Sequence, residues 1–172
     1  MAAGLWFGDP DIDAMERITN CPEVHQIAEV AQRGFCVDSN VFAPTNSQNT
    51  AYVAEVAPLF MVWTGVGRYD DIWASYLGQT IMRTLDYHVY YGPPFVWQQR
   101  NSHNLWQNLR DEIFGMEYTT RFCQDLLAAG LGEGTVLDKL ERLYEHLKGK
   151  DYLPPIVYEL GKAWCEDVRG IL

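Results

Sequence analysis

The chain has 172 residues, 48% hydrophobic and 21% charged, which is enough for one packed core and gives no arithmetic support for a second large domain. A formal charge of −10 speaks against binding a nucleic-acid backbone, where Lys and Arg must neutralise phosphates. No apolar run reaches the length of a bilayer span and the first residues lack a signal-peptide layout, so the expectation is a soluble cytoplasmic chain with no membrane span.

In chain order, Gly4-Leu5-Trp6-Phe7 reads as a buried strand, at a sheet edge or in a longer sheet, ended by the turn residues Gly8-Asp9-Pro10. A short helix is expected over 13–18 and a weak or irregular one over 22–30. Alternating Phe35, Val37 and Val41-Phe42-Ala43 suggest a strand pair or bent strand running into the polar stretch 44–50. Residues 51–60 suit a short helix with its exit near Pro58. Ile72, Trp73, Tyr76, Leu77, Ile81 and Leu85 recur at three and four residues and predict one amphipathic helix beginning near Asp70. His88 to Tyr91 is β-prone, Gly92-Pro93-Pro94 should break it, and Phe95-Val96-Trp97 resumes an apolar run. Helices are expected over 105–127, over 136–147 and from Pro154-Pro155 to Ile171, covering the sheet and carrying no chemistry. The sum is a mixed α/β (α+β) layer fold, a short mixed sheet with a helical C-terminus, in a single domain over 1–172.

Cys21, Cys36, Cys123 and Cys165 have no zinc-type spacing and read as reduced, mostly buried thiols, a Cys21–Cys36 bridge being the open alternative.

The densest chemistry lies in Gly67-Arg68-Tyr69-Asp70-Asp71-Ile72-Trp73, where two adjacent carboxylates stand at a helix start behind an arginine. One carboxylate can cap the helix while the other faces a cleft as general base or hydroxyl ligand, and two close like charges raise one pKa. Arg68 can meet a phosphate or pair with Asp71. Trp73 packs in the core or, on the resemblance given below, offers a face for a sugar ring. Gln48 and Asn49 carry amides that serve a turn or bond ligand hydroxyls, those of a sugar on the same resemblance. Arg100, Asn101 and His103 follow an apolar run and, on that resemblance, could reach diphosphate oxygens or complete a metal shell. Asp9-Pro10-Asp11-Ile12-Asp13 follows a strand as Asp-x-Asp metal motifs do, so Asp9, Asp11 and Asp13 are candidate Mn²⁺ or Mg²⁺ ligands, with turn and cap roles as the competing reading. Ala14 stands where a calcium loop would need glycine.

Three blocks resemble the reversibly glycosylated polypeptide family, which includes the plant UDP-arabinopyranose mutases. Gly4-Leu5-Trp6 with Pro10-Asp11-Ile12-Asp13-Ala14 is similar to that family's G-L-W and P-D-x-D-A. Gln48-Asn49-Thr50-Ala51-Tyr52 is similar to M-N-L-A-F. Gly67 to Ala74 is similar to G-R-Y-D-D-M-W-A, with Gly92-Pro93-Pro94-Phe95-Val96-Trp97 and Asn108-Leu109 resembling G-L-P-Y-I-W and N-L. The chain departs from the family at Asn46-Ser47-Gln48 and at Trp97-Gln98-Gln99-Arg100, where the pattern has M-C-G-M and W-H-S-K. The likeness covers about the first 120 residues and implies the acceptor-side half of a GT-A-type glycosyltransferase fold, residues 121–172 adding C-terminal helices. It implies a glycosyltransferase or sugar-nucleotide mutase acting on a UDP-sugar with Asp70 and Asp71 catalytic. The nucleotide-binding half and main metal motif of the family would precede Gly4, so the expectation is either a truncated or split protein, with a donor-half polypeptide or a homo-oligomer as candidate partner, or a relative that has lost the donor half. The alternative is a non-catalytic carbohydrate- or partner-binding module that docks through the edge of the first strand.

Overall fold

A computed structural model describes residues 1–171. Four strands form one mixed sheet in the order β2-β4-β1-β3, with β1 Ala2–Gly8, β2 Phe35–Cys36, β3 Thr50–Ala51 and β4 Tyr90–Gln98. The helices are α1 Ala14–Asn20, α2 Glu29–Arg33, α3 Asp70–Arg83, α4 Leu105–Ala128, α5 Val136–Leu147 and α6 Pro155–Ile171, with 3-10 turns at Ala54–Leu59 and Gly67–Tyr69. The mixed α/β class therefore holds.

β1 is an interior strand, neither fully buried nor at an edge: it runs parallel to β4 and antiparallel to β3, and Gly8 is bridged to Val24 on the far side. Leu5, Trp6 and Phe7 are only half-buried. The expected break at Gly92-Pro93-Pro94 is a bulge inside one strand. β1 advances from Gly4 to Trp6 while β4 advances from Gly92 to Val96, so the two prolines, which have no N–H to donate, sit where the ladder skips. Of the expected strand pair over 35–43 only Phe35–Cys36 is strand, and residues 22–30 contribute the Val24 bridge and the start of α2 within an irregular segment.

The core lies among the helices and not beneath the sheet. Every residue of α3 from Trp73 to Met82 is buried, so the expected single apolar stripe is a helix enclosed on all sides. Trp73 stacks on Phe122 with ring centroids 4.5 Å apart, and Trp63 meets the same ring edge-on. α5 packs on α6, α3, α4 and the 3-10 turn at Ala54–Leu59, which corrects the expectation that the C-terminal helices cover the sheet. The buried Gln79 amide bonds the Ala43 backbone in both directions, accepting its N–H at 3.0 Å and donating to its carbonyl at 2.7 Å. That pair fastens the irregular chain after Ala43 to α3, and so places the polar stretch 45–50 at the mouth of the site.

The four cysteines are free, and only Cys165 is buried; Cys123 is half-buried and Cys21 and Cys36 are exposed, which corrects the expectation of mostly buried thiols. Among the described residues no helix is long and apolar enough to cross a membrane.

Candidate functional site

The carboxylate pair is held by a turn that two glycines allow to settle onto α4. Gly67 has φ +65°, and a Cβ there would lie 2.0 Å from the Asp111 carbonyl oxygen. The Tyr69 ring covers Gly115 so closely that a Cβ would fall 2.0 Å from it. Seated this way, Arg68 donates from Nε to Glu112 Oε1 at 2.9 Å. The other oxygen of Glu112 accepts the Ala14 N–H at 2.6 Å, joining the start of α1 to the same carboxylate. Glu112 is buried, at 5% exposure.

Asp70 and Asp71 occupy the first turn of α3, where the positive helix end favours anions. Asp70 accepts the Asp71 N–H at 2.9 Å, and Asp71 Oδ2 accepts the Ser47 N–H at 3.1 Å. Burial pushes the Asp71 carboxyl above its ordinary range, the charges of Asp70 and Asp11 push it further, and N–H groups of Ser47 and Ile72 pull it back. It is therefore a stronger base than an ordinary aspartate.

These groups line one cleft of about 340 Å³, a size at the lower end of small-molecule sites. Asp11, Asp13, Asp70, Asp71 and Glu112 contribute carboxylates to its wall, and Arg68 is the cation among them. An opening of this kind holds hydroxyls well, and it offers one local positive charge for an anionic group.

The other expected site residues divide. Gln48 lines the cleft. Asn49 lies beside it, its amide filling the space above Gly4 and donating to the Leu5 carbonyl at 3.4 Å. Arg100 is a clamp: its backbone N–H bonds Asp9 at 2.8 Å and its guanidinium pairs with Asp11. Asn101 and His103 are exposed in the loop between β4 and α4 and do not border the cleft. Trp73 is fully buried and donates its indole N–H to Thr119 at 2.9 Å, so it presents no face to a sugar.

The three candidate metal ligands do not converge. Asp9 faces Arg17 at 3.8 Å and the Arg100 N–H, Asp11 takes Arg100 and the Asn46 amide at 3.1 Å, and Asp13 caps α1 through the Glu16 N–H at 2.9 Å. Among the described residues no group of three or more His, Cys, Asp or Glu is placed to hold a metal ion, and each of these aspartates is engaged by a partner within the fold.

Sequence reasoning missed Glu112, Ser47 and Asn46. Glu112 carried a signal: Glu112, Gly115, Thr119, Phe122 and Leu126 follow one another at three and four residues, so an acid stands on the inward stripe of α4. Ser47 acts through its backbone N–H and Asn46 through its side-chain amide, both from an irregular segment, which has no periodicity to betray it.

With that geometry in place, comparison with known proteins is informative. The family model described as "Reversibly glycosylated polypeptide" matches residues 1–135. A protein of Zea mays named "Probable UDP-arabinopyranose mutase 1" is 24% identical over 180 residues, covering 95% of this chain and 47% of its own length. "Probable UDP-arabinopyranose mutase 1" of Pisum sativum is 26% identical over 136 residues, covering 76% and 36%. "UDP-arabinopyranose mutase 3" of Arabidopsis thaliana is 26% identical over 132 residues, covering 72% and 36%. The chain thus spans between a third and a half of the length of these relatives.

Proposed function

Because this chain belongs to the reversibly glycosylated polypeptide family, we propose that its acidic cleft handles the sugar of a UDP-sugar, as part of a mutase or a related glycosyltransferase. The observation that carries this reading is the joint placement of Arg68, Asp70 and Asp71 at the rim of one cleft, with the Asp71 carboxyl raised by burial. Asp71 takes the proton of a reacting sugar hydroxyl. Asp70, one residue away, offers negative charge to an oxocarbenium-like centre. Arg68, fixed through Nε, turns its remaining N–H groups to an anionic leaving group.

Nucleotide binding, and the divalent metal that neutralises a diphosphate, we assign to the donor half of the family's fold, which these residues do not span. Two observations support that division: the chain spans less than half of its relatives, and among the described residues no group of three or more His, Cys, Asp or Glu is placed to hold a metal ion. One apolar face supports a partner as well. Phe95 is 80% and Trp97 60% exposed, with Phe7 stacked on Trp97 at 6.2 Å. This sheet face, and not the β1 edge, is the surface we assign to the partner, since β3 and Val24 already occupy that edge. A cytoplasmic setting accords with the exposed thiols of Cys21 and Cys36.

The test is conversion of UDP-arabinopyranose followed by NMR, with the chain alone and mixed with the nucleotide-binding half of a relative. Turnover is expected in the mixture and lost in the Asp70→Asn, Asp71→Asn double variant. Undiminished turnover by that variant would refute the catalytic assignment. Ordinary rates from the chain alone, about 1–10³ s⁻¹, would refute the division of labour.

A further inference from the structure

A second cavity, of about 210 Å³, shares Asp11, Asn46 and Ile72 with the acidic cleft, so the two are neighbouring lobes. The hydrogen bond from the Asn46 amide to Asp11, 3.1 Å long, stands between them. The character of the second lobe is different: its wall includes Trp6 and Tyr91, and its floor includes Gly4.

Trp6 is unlike the other tryptophans. Trp63, Trp73 and Trp164 each spend the indole N–H on a partner inside the fold, Tyr144, Thr119 and the Pro58 carbonyl respectively. Trp97 stacks on Phe7 and meets the His25 ring at a tilt. Trp106 is exposed on α4, away from both lobes. Trp6 is half-buried on β1, and among the described residues it has neither a stacking partner nor an acceptor for its N–H. An indole at a cavity wall offers a ligand an apolar face and a polar edge.

We propose that this second lobe is the subsite for a pyranose ring, with Trp6 beneath its C–H face and Asp11 and Asn46 bonding its hydroxyl rim. The proposal rests on the reading of the acidic cleft as the place where a sugar hydroxyl reacts. A pyranose has one apolar face and a polar edge, and the lobe sets an aromatic ring beside a carboxylate and an amide. Both Asp11 oxygens already accept one bond, from Arg100 and Asn46, which fixes their direction and leaves each a further lone pair. The Asn46 oxygen accepts the N–H groups of Gln48 and Asn49 at 3.0 and 3.3 Å, so its NH₂ group faces Asp11 with one N–H still to give. Trp6 thereby takes the role that sequence reasoning gave to Trp73.

The test is titration of the chain with methyl arabinopyranoside, and separately with uridine, followed by ¹H–¹⁵N NMR. The Trp6 indole signal, identified by its loss in Trp6→Phe, and the Ser47 amide are the two reporters. The proposal expects both to move with the pyranoside along one saturable curve, with affinity falling roughly tenfold in Trp6→Ala and little changed in Trp6→Phe. If Asp71→Asn abolishes binding while Trp6→Ala binds as wild type and the indole signal stays still, the subsite is wrong and the cleft reading survives. If uridine moves the indole and the pyranoside does not, the lobe is a base pocket and the proposal falls. If neither reporter responds to the pyranoside, both readings fall together. Should Trp6→Ala not fold, the wild-type indole shift and Trp6→Phe decide alone.

Discussion

Replacing Glu112 by alanine should be among the most damaging single changes near the cleft, although its helix contributes no other side chain to the cleft wall. The side chain accepts a buried backbone N–H from Ala14 at 2.6 Å and the Arg68 guanidinium at 2.9 Å. Hydrogen bonds to a charged group contribute about 1.5–3 kcal/mol each, and a stranded buried N–H adds to the loss. Arg68 is 38% exposed, so its share is screened and stands at the low end of that range. The net expectation for Glu112→Ala is a loss of about 3 kcal/mol. Glu112→Gln keeps one oxygen for the Ala14 N–H but presents an NH₂ group to a guanidinium that has only donors, so about 1–2 kcal/mol should be lost. Urea unfolding reads the difference: with a slope of about 2 kcal/mol/M, the alanine variant should unfold about 1.5 M earlier. A Glu112→Ala midpoint within about 0.3 M of wild type, or a glutamine variant as unstable as the alanine one, would refute the view that this carboxylate ties α1 and the Arg68 turn to α4.

Gly115→Ala should destabilise by more than 1 kcal/mol despite the roughly 1 kcal/mol that alanine gains in helix propensity, because the Tyr69 ring occupies the Cβ position; a more stable variant in thermal melts would show that the turn does not seat there. Asp71→Asn should stabilise the fold at pH 7. The raised carboxyl penalises the ionised folded state above its folded pKa, and that penalty disappears below the unfolded value of about 3.9, so the gain in melting temperature should vanish in acid; a variant less stable than wild type at pH 7 contradicts the burial argument. Thiol titration with a disulfide reagent should find Cys21 and Cys36 reacting at once, Cys123 slowly, and Cys165, pushed up to about 11 by burial, only on unfolding; rapid reaction of Cys165 would contradict the packing of α6.

The parts of the fold that were legible in the sequence are those with long periodicity. α3, α4, α5 and α6 begin and end close to where their apolar spacing and caps place them, and Asp13 caps α1 as its residue type suggests. The strands were harder because they are short and paired over few residues, and β4 carries two prolines that a bulge accommodates. Burial was misjudged at both ends of the scale: Leu5-Trp6-Phe7 and Phe95-Val96-Trp97 look like core by composition but stand at least partly open, while the polar Gln79 is enclosed. In the site, Arg68, Asp70 and Asp71 were legible because a turn, an arginine and two acids stand together in the chain. Asp9, Asp11 and Asp13 were also adjacent, yet each is committed to a different partner, which spacing alone does not reveal. Glu112 arrives from 41 residues beyond Asp71 on another helix, and only the three-dimensional packing brings it in.

The central claim is that the cleft around Asp70 and Asp71 receives the sugar of a sugar-nucleotide. Its most direct test is titration of ¹⁵N-labelled chain with UDP-arabinopyranose, mapping which backbone amides shift. The account predicts shifts concentrated at Ser47, at Arg68 to Asp71 and at Ala14, whose N–H is bonded to Glu112, and their loss in Asp70→Asn, Asp71→Asn. Shifts gathered instead in the groove between α5 and α6, beside Lys148 and Tyr158, or unaltered in the double variant, would contradict it.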